Sequence, residues 1–258
     1  MTAPGDADLD GGEIQLVGRI TVASNATFLG RVGDVPVVYK PVDGERPLWD
    51  FPDRTLARRE VAAYLVSEAT GWGVVPRTWL RDGPLGPGMV QLWCEPDPGQ
   101  DPVDLVPADA VPAHGWRRVL EGSDEDGWTV ALVHEDSAAL RRMAVLDVVL
   151  NNADRKGGHV LPQADGHRHG VDHGVTFHVE PRLRTVLWGW VGEPLDAEER
   201  AGVARVRAGL DGALGDRLGE LLADVEVAAL AARCERLLQV GVLPGHESEM
   251  PAVPWPLF

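Results

Sequence analysis

Cysteine is almost missing from this 258-residue chain: Cys94 and Cys234 are the only two, far apart and in no C-x-x-C pair. That argues against a disulfide framework and for a reduced, cytoplasmic setting. No run of about 18 apolar residues occurs, so no spanning helix and no integral membrane association are expected. Residues Met1 to Glu13 lack the basic start and apolar stretch of a secretion signal, and 1–12 read as a disordered acidic lead. Positive charge is in deficit, with 24 Lys and Arg against 40 Asp and Glu, a net charge of -16. Such a surface repels nucleic-acid phosphates and an anionic membrane. Lysine is scarce even among the basic residues, a bias of GC-rich bacterial genomes. The chain has no internal repeat, and neither G-x-S-x-G nor H-E-x-x-H, which leaves hydrolase readings without support.

What is present is an ordinary globular composition, 44% hydrophobic and 25% charged, in a length that suits one large domain or two lobes. Alternating patterns predict strands over 14–22, 27–32 and 35–40. A helix over 54–70 carries Leu56, Val61, Tyr64 and Leu65 at helical spacing and stops at Gly71. Further strands are expected around 78–83 and over 89–94, and Glu95-Pro-Asp-Pro-Gly99 interrupts the pattern. Then come an irregular stretch, a hairpin of 117–120 with 129–134, and a helix to Leu150 capped by Asp136 or Ser137. Residues 195–240 read as helices, and Trp255 and Phe258 are expected to pack the Pro-rich end. The expectation is an α+β fold of two lobes: a strand-rich N-lobe over 13–95 and a mainly helical C-lobe over 96–258.

The segment richest in chemistry is Asn152-Ala-Asp-Arg-Lys-Gly-Gly-His159, followed by Val171-Asp-His-Gly174. The Asp154-to-His159 spacing matches a phosphotransfer catalytic loop, where an aspartate is followed five residues later by a metal ligand. A second metal-binding aspartate then opens an Asp-x-Gly. Asp165-Gly166 between them is a hairpin signal. Centring the turn there pairs Ala164 with His167, Leu161 with Gly170 and His159 with Asp172, so both candidate ligands face one side.

Lys40 ends a strand and is expected to reach nucleotide phosphates, oriented by Glu60 on the next helix. Ser24, Asn25, Ala26 and Thr27 lie where a phosphate-covering loop belongs, although no Gly-x-Gly-x-x-Gly is present. Asp154 is the candidate catalytic carboxylate, and Arg155 beside it is a second catalytic candidate, expected to pair with an acid or phosphate. Asp147 and Asn152 are expected to shape the loop. His159 and Asp172 are candidate ligands for magnesium or manganese; magnesium prefers oxygen, and imidazole suits the softer metal. Zinc on His167 and His169 is the minor alternative, since no cysteine lies nearby.

These residues resemble the phosphatidylinositol 3-/4-kinase-related superfamily, and an actinobacterial branch of it in particular. The resemblance runs over roughly 14–190. It is carried by Val38-Tyr-Lys-Pro41, Arg59-Glu-Val-Ala-Ala63, Gly73-Val-Val-Pro76, Gly88 to Glu95, the D-x-x-x-x-N-x-D-R of Asp147 to Arg155, and Val171-Asp-His-Gly174. It implies a bilobal protein-kinase-like fold that uses ATP, with Asp154 catalytic, Asp172 on the metal, and the backbone at Trp93 and Cys94 against adenine. The superfamily usually carries asparagine where this chain has His159. The span from Asp172 to Trp188 is short and has no basic-aromatic membrane patch. It offers His178, Arg182 and Arg184 to a substrate. The expected acceptor is therefore a soluble metabolite or a protein rather than an inositol lipid, served by a monomer. A nucleotide-binding pseudokinase and an AMP transferase on the same fold are the alternatives.

Overall fold

The computed structural model describes residues 8–21 and 25–258. Strands β1 (Ile14–Arg19), β2 (Phe28–Val32) and β3 (Val35–Pro41) lead to helix α1 (Leu56–Thr70), then β4 (Thr78–Gly83) and β5 (Gly86–Leu92). All five strands form one antiparallel sheet in the order β1-β2-β3-β5-β4. Strand β5 starts and ends earlier than its hydrophobic run suggested, because Gly86 (φ 91°) closes a tight turn with β4. Of the expected disordered lead, 1–7 lie outside the described residues. Asp8 to Gly12 instead forms a turn, and Arg81 donates to the carbonyls of Leu9 and Gly12.

Beyond Gly99 the stretch expected to be irregular contains a strand, β6 (Val103–Pro107), which pairs with the outer hairpin of β7 (Trp116–Ser123) and β8 (Thr129–Glu135). Helix α2 (Ala138–Leu150) follows, and the Ser137 side chain accepts from the Leu140 amide at its start. A short hairpin of β9 (Val160–Pro162) and β10 (Arg168–Gly170) precedes helices α3 (Ala197–Gly209), α4 (Ala213–Gly219) and α5 (Asp224–Val240). The fold is α+β, a five-stranded sheet with its helix α1 beside a mainly helical part that carries the three-stranded sheet of β6, β8 and β7.

Helix α1 is buried on most of its circumference, and its N-terminal amides at Leu56 and Ala57 donate to the Glu45 carboxylate. Val61 and Ala57 meet Met89 of the sheet, while Ala62, Leu65 and Val66 join the large core built on α2, α3 and α5. Arg59, inside that helix, donates to the Thr176 carbonyl at 2.6 Å and pairs with Glu226 at 2.5 Å. The helix that carries Glu60 therefore belongs to both lobes. At the C-terminal end, Pro254 and Leu257 are the buried side chains. Trp255, expected to pack, is 81% exposed, because the segment is held through its carbonyls by Arg184, Thr185, Trp188 and Gly157.

Candidate functional site

The segment after α2 is shaped by side chains that precede it. Asn151 adopts a left-handed conformation (φ 55°) that ends the helix, and its side chain is bonded to the backbone of His178, Glu180 and Arg182. Asn152 donates to Asp147 Oδ1 (2.8 Å) and accepts from the Asp154 amide (3.0 Å), as loop-shaping residues should.

Arg155 does not face a substrate. It is fully buried and grips Asp147 through Nε (2.8 Å) and Nη2 (2.9 Å). Its Nη1 reaches the carbonyls of Val171 (3.0 Å) and His159 (3.3 Å), and Nη2 lies 2.7 Å from His173 Nε2. The expectation of a catalytic arginine is thus corrected. Arg155 ties the Asp154 loop to both segments that carry candidate metal ligands.

The hairpin register is one residue off the expected one. Pro162 pairs with Arg168 and Val160 with Gly170, and the Val171 amide donates to the His159 carbonyl. Three residues, Ala164 to Gly166, make the turn; Gly166 takes φ 89°, the left-handed residue of a bulged turn. Val171, not Asp172, therefore lies opposite His159. Asp172 itself has φ 60°, unusual for a residue with a Cβ. His159 Nε2 still lies 3.4 Å from Asp172 Oδ2, by this kink and not by strand pairing.

Asp172 also meets Lys40, whose Nζ donates to its Oδ1 (2.8 Å) and to Glu60 Oε1 (2.6 Å). The other oxygen of Glu60 accepts from the His173 amide at 2.9 Å. One carboxylate on α1 thus joins the lysine of β3 to the Asp-x-Gly segment. Burial alone would lower the Lys40 pKa, but Asp172 and Glu60 overcome it and hold it raised. The Lys40 charge holds Asp172 well below the usual carboxylate range. Burial pushes the His159 imidazole down to about 4 despite Asp172, so it is neutral at pH 7 and free to ligate.

Asp154 has its pKa raised by burial, against the pull of Lys156, whose Nζ lies 3.3 Å from Oδ2. Lys156 escaped the sequence reading, yet a signal was there: Lys40 and Lys156 are the only lysines in the chain. Both lie at this site, where a compact ammonium and a forked guanidinium are not interchangeable.

The remaining candidates divide. Ser24 lies outside the described residues. Asn25 accepts from the Arg46 amide, the Ala26 amide donates to Gly44, and the buried Thr27 hydroxyl donates to Asn25. These groups serve the loop itself. The Trp93 amide is spent on the Pro36 carbonyl (3.1 Å), so it is not open to adenine, and Cys94 is half-buried. His178 packs edge-on against Phe51, and Arg182 stacks over Trp49 and pairs with Glu180. Arg184 donates to Pro251 and Val253, and its charge is among those that lower Asp154. His167 and His169 are turned to the carbonyls of Gly73 and Val74 and latch the hairpin down.

Among the described residues no group of three or more His, Cys, Asp or Glu side chains is arranged to hold a metal. Two donors, the ionised Asp172 and the neutral His159, suit a cation that takes its other ligands from phosphates and water.

No family model matches the chain. It is 50% identical to protein Rv2133c of Mycobacterium tuberculosis over 265 aligned positions, covering 98% of this chain and 95% of that protein. Among solved structures it aligns with the crystal structure of a Helicobacter pylori proinflammatory kinase, CtkA, at TM-score 0.46 and 10% identity, over 91% of this chain and 94% of that one.

Proposed function

We propose that this chain, which belongs to the same family as protein Rv2133c of Mycobacterium tuberculosis, is an ATP-dependent phosphotransferase related to the phosphatidylinositol 3-/4-kinases. The observation that carries this reading is the Lys40 ammonium, bonded at once to Glu60 of α1 and to Asp172 of the Asp-x-Gly segment. Phosphoryl transfer needs little covalent help from the protein; it needs charge fixed around the phosphates and a positioned acceptor. Lys40 would hold phosphate oxygens. Asp154, half-shielded from water and raised in pKa, would accept the acceptor hydroxyl's proton, with Lys156 beside it to meet the transferring group. Asp172 and His159 would hold a magnesium or manganese ion, whose chemistry is to neutralise phosphate charge.

A net charge of -16 disfavours a membrane-borne acceptor. The acceptor in this reading is a hydroxyl of a soluble metabolite or of a protein, met on the side where Arg182 and His178 face the 45–55 loop.

The test incubates the purified chain with ATP and either metal, beside Asp154→Ala. ADP formation or phosphoryl transfer is expected, reduced by about 100-fold or more in the variant, while ATP still raises the melting temperature of both. An AMP adduct would make it a nucleotidyl transferase, and a thermal shift without turnover a pseudokinase. With neither turnover nor shift, the reading fails.

A further inference from the structure

A cavity of about 670 Å³ lies away from this site, among the helices of the C-terminal part. That is within the range of about 300–1,000 Å³ of small-molecule sites, which are mostly apolar with a few placed polar groups. Its walls are apolar: Val148 of α2, Leu237 and Val240 of α5, Leu243 after it, and Val179 and Leu183 across from them. Val179, Val191 and Val240, all lining it, are 49%, 48% and 59% exposed. Large apolar side chains left this open around one concavity are a mark of a binding surface.

One charged group in the wall has no carboxylate bonded to it. Arg233 donates through Nε to the Val149 carbonyl (2.9 Å) and through Nη1 to the His178 carbonyl (3.2 Å), and its Nη2 is buried without a partner. Burial lowers its pKa to about 10, against an upward pull from Cys234 and from Glu226, which is itself paired with Arg59. Arg236, one turn on in the same wall, is paired with Glu247. A guanidinium bonded only to neutral carbonyls in an apolar wall is electrostatically incomplete, and an anionic oxygen would complete it.

We propose that this cavity binds a single-chain amphiphile with a carboxylate head, a long-chain fatty acid, with the head on Arg233 and the chain among Val148, Val179, Leu237 and Val240. Its position has a bearing on the other site. Residues 178–184 are shared by the two: Val179, Pro181 and Leu183 line the cavity, while His178 and Arg182 turn to Phe51 and Trp49. Asn151, also in the wall, immediately precedes the Asn152–Asp154 loop. The proposal does not depend on phosphotransfer and is tested without it.

The full chain is titrated with laurate, using displacement of the fluorescent fatty acid cis-parinaric acid, with dodecanol and dodecylammonium as neutral and cationic controls. Laurate is expected to saturate one site, bind about tenfold or more tighter than dodecanol, and leave dodecylammonium without measurable affinity. Arg233→Met should erase the preference for laurate over dodecanol. Ala229→Trp, which fills the cavity from α5, should abolish displacement by both without lowering the melting temperature. Absence of saturable binding, equal affinity for the three head groups, or unchanged binding in Ala229→Trp overturns the proposal. The Trp variant decides the matter if Arg233→Met does not fold.

Discussion

Replacing Arg155 with leucine separates a structural arginine from a catalytic one. Arg155 and Asp147 are both wholly buried and joined at 2.8 and 2.9 Å. Leucine would leave the Asp147 carboxylate in the interior with only the Asn152 amide as a polar side-chain partner, and would release the carbonyls of His159 and Val171. Removing one member of a buried pair costs about 3–5 kcal/mol, mostly for the charge left behind. Domains carry only about 5–15 kcal/mol in total, so a large fraction of the stability is at stake. In a chain of this size the loss lowers the melting temperature by roughly 6–20 °C. Urea unfolding gives the number directly, provided the denaturant slope is unchanged. The double variant Asp147→Leu/Arg155→Leu removes both charges and should recover much of the loss, a coupling of about 1–3 kcal/mol. If Arg155→Leu unfolds within about 1 kcal/mol of the parent and is nevertheless inactive, the arginine acts on a ligand and the clamp assigned to it is wrong.

Two further outcomes follow from the charges described. Lys156 holds the Asp154 pKa down against burial; Lys156→Met should therefore move the acidic limb of kcat/KM to higher pH, and a limb that stays put or moves down would show the two are not coupled. His134 and His159 are both lowered by burial to about 4 from an ordinary value of 6.5, so the unfolded chain takes up protons first as pH falls. The histidine contribution should be complete by about pH 7, and stability should decline between about 6.5 and 4, less steeply in His159→Asn; urea midpoints that hold constant across that window would contradict it.

Much of the site was legible because its parts are short and ordered along the chain: a lysine ending a strand, a glutamate on the next helix, an aspartate loop and an Asp-x-Gly. Lys40, Glu60 and Asp172 come together as their order implies. The failures have physical causes. Asp-Gly signals a turn but not its length, and one extra residue with Gly166 left-handed shifted the register. Adjacency to Asp154 said nothing of where Arg155 points; that is decided by Asp147, in the last turn of α2. Strand β6, bounded by Pro102 and Pro107 with Asp104 between, reads as a loop, and only its pairing with β8 makes it a strand. Lys156 was hidden beside Arg155 in a basic pair whose meaning lay in how few lysines the chain keeps.

Helix α1 has a mechanical consequence. Arg59 fastens it to Thr176 and Glu226, and its apolar face is sunk in the helical lobe, while Glu60, the next residue, holds Lys40 with one oxygen and His173 with the other. A hinge motion opening the cleft would pull the sheet away from a stationary post. The joints to part would be Lys40–Glu60 and Lys40–Asp172, with Glu60–His173 riding unbroken on the larger lobe. In such a machine the glutamate is the fixed jaw and the lysine the moving one, so an on-off control that swings the helix has no slack to work with.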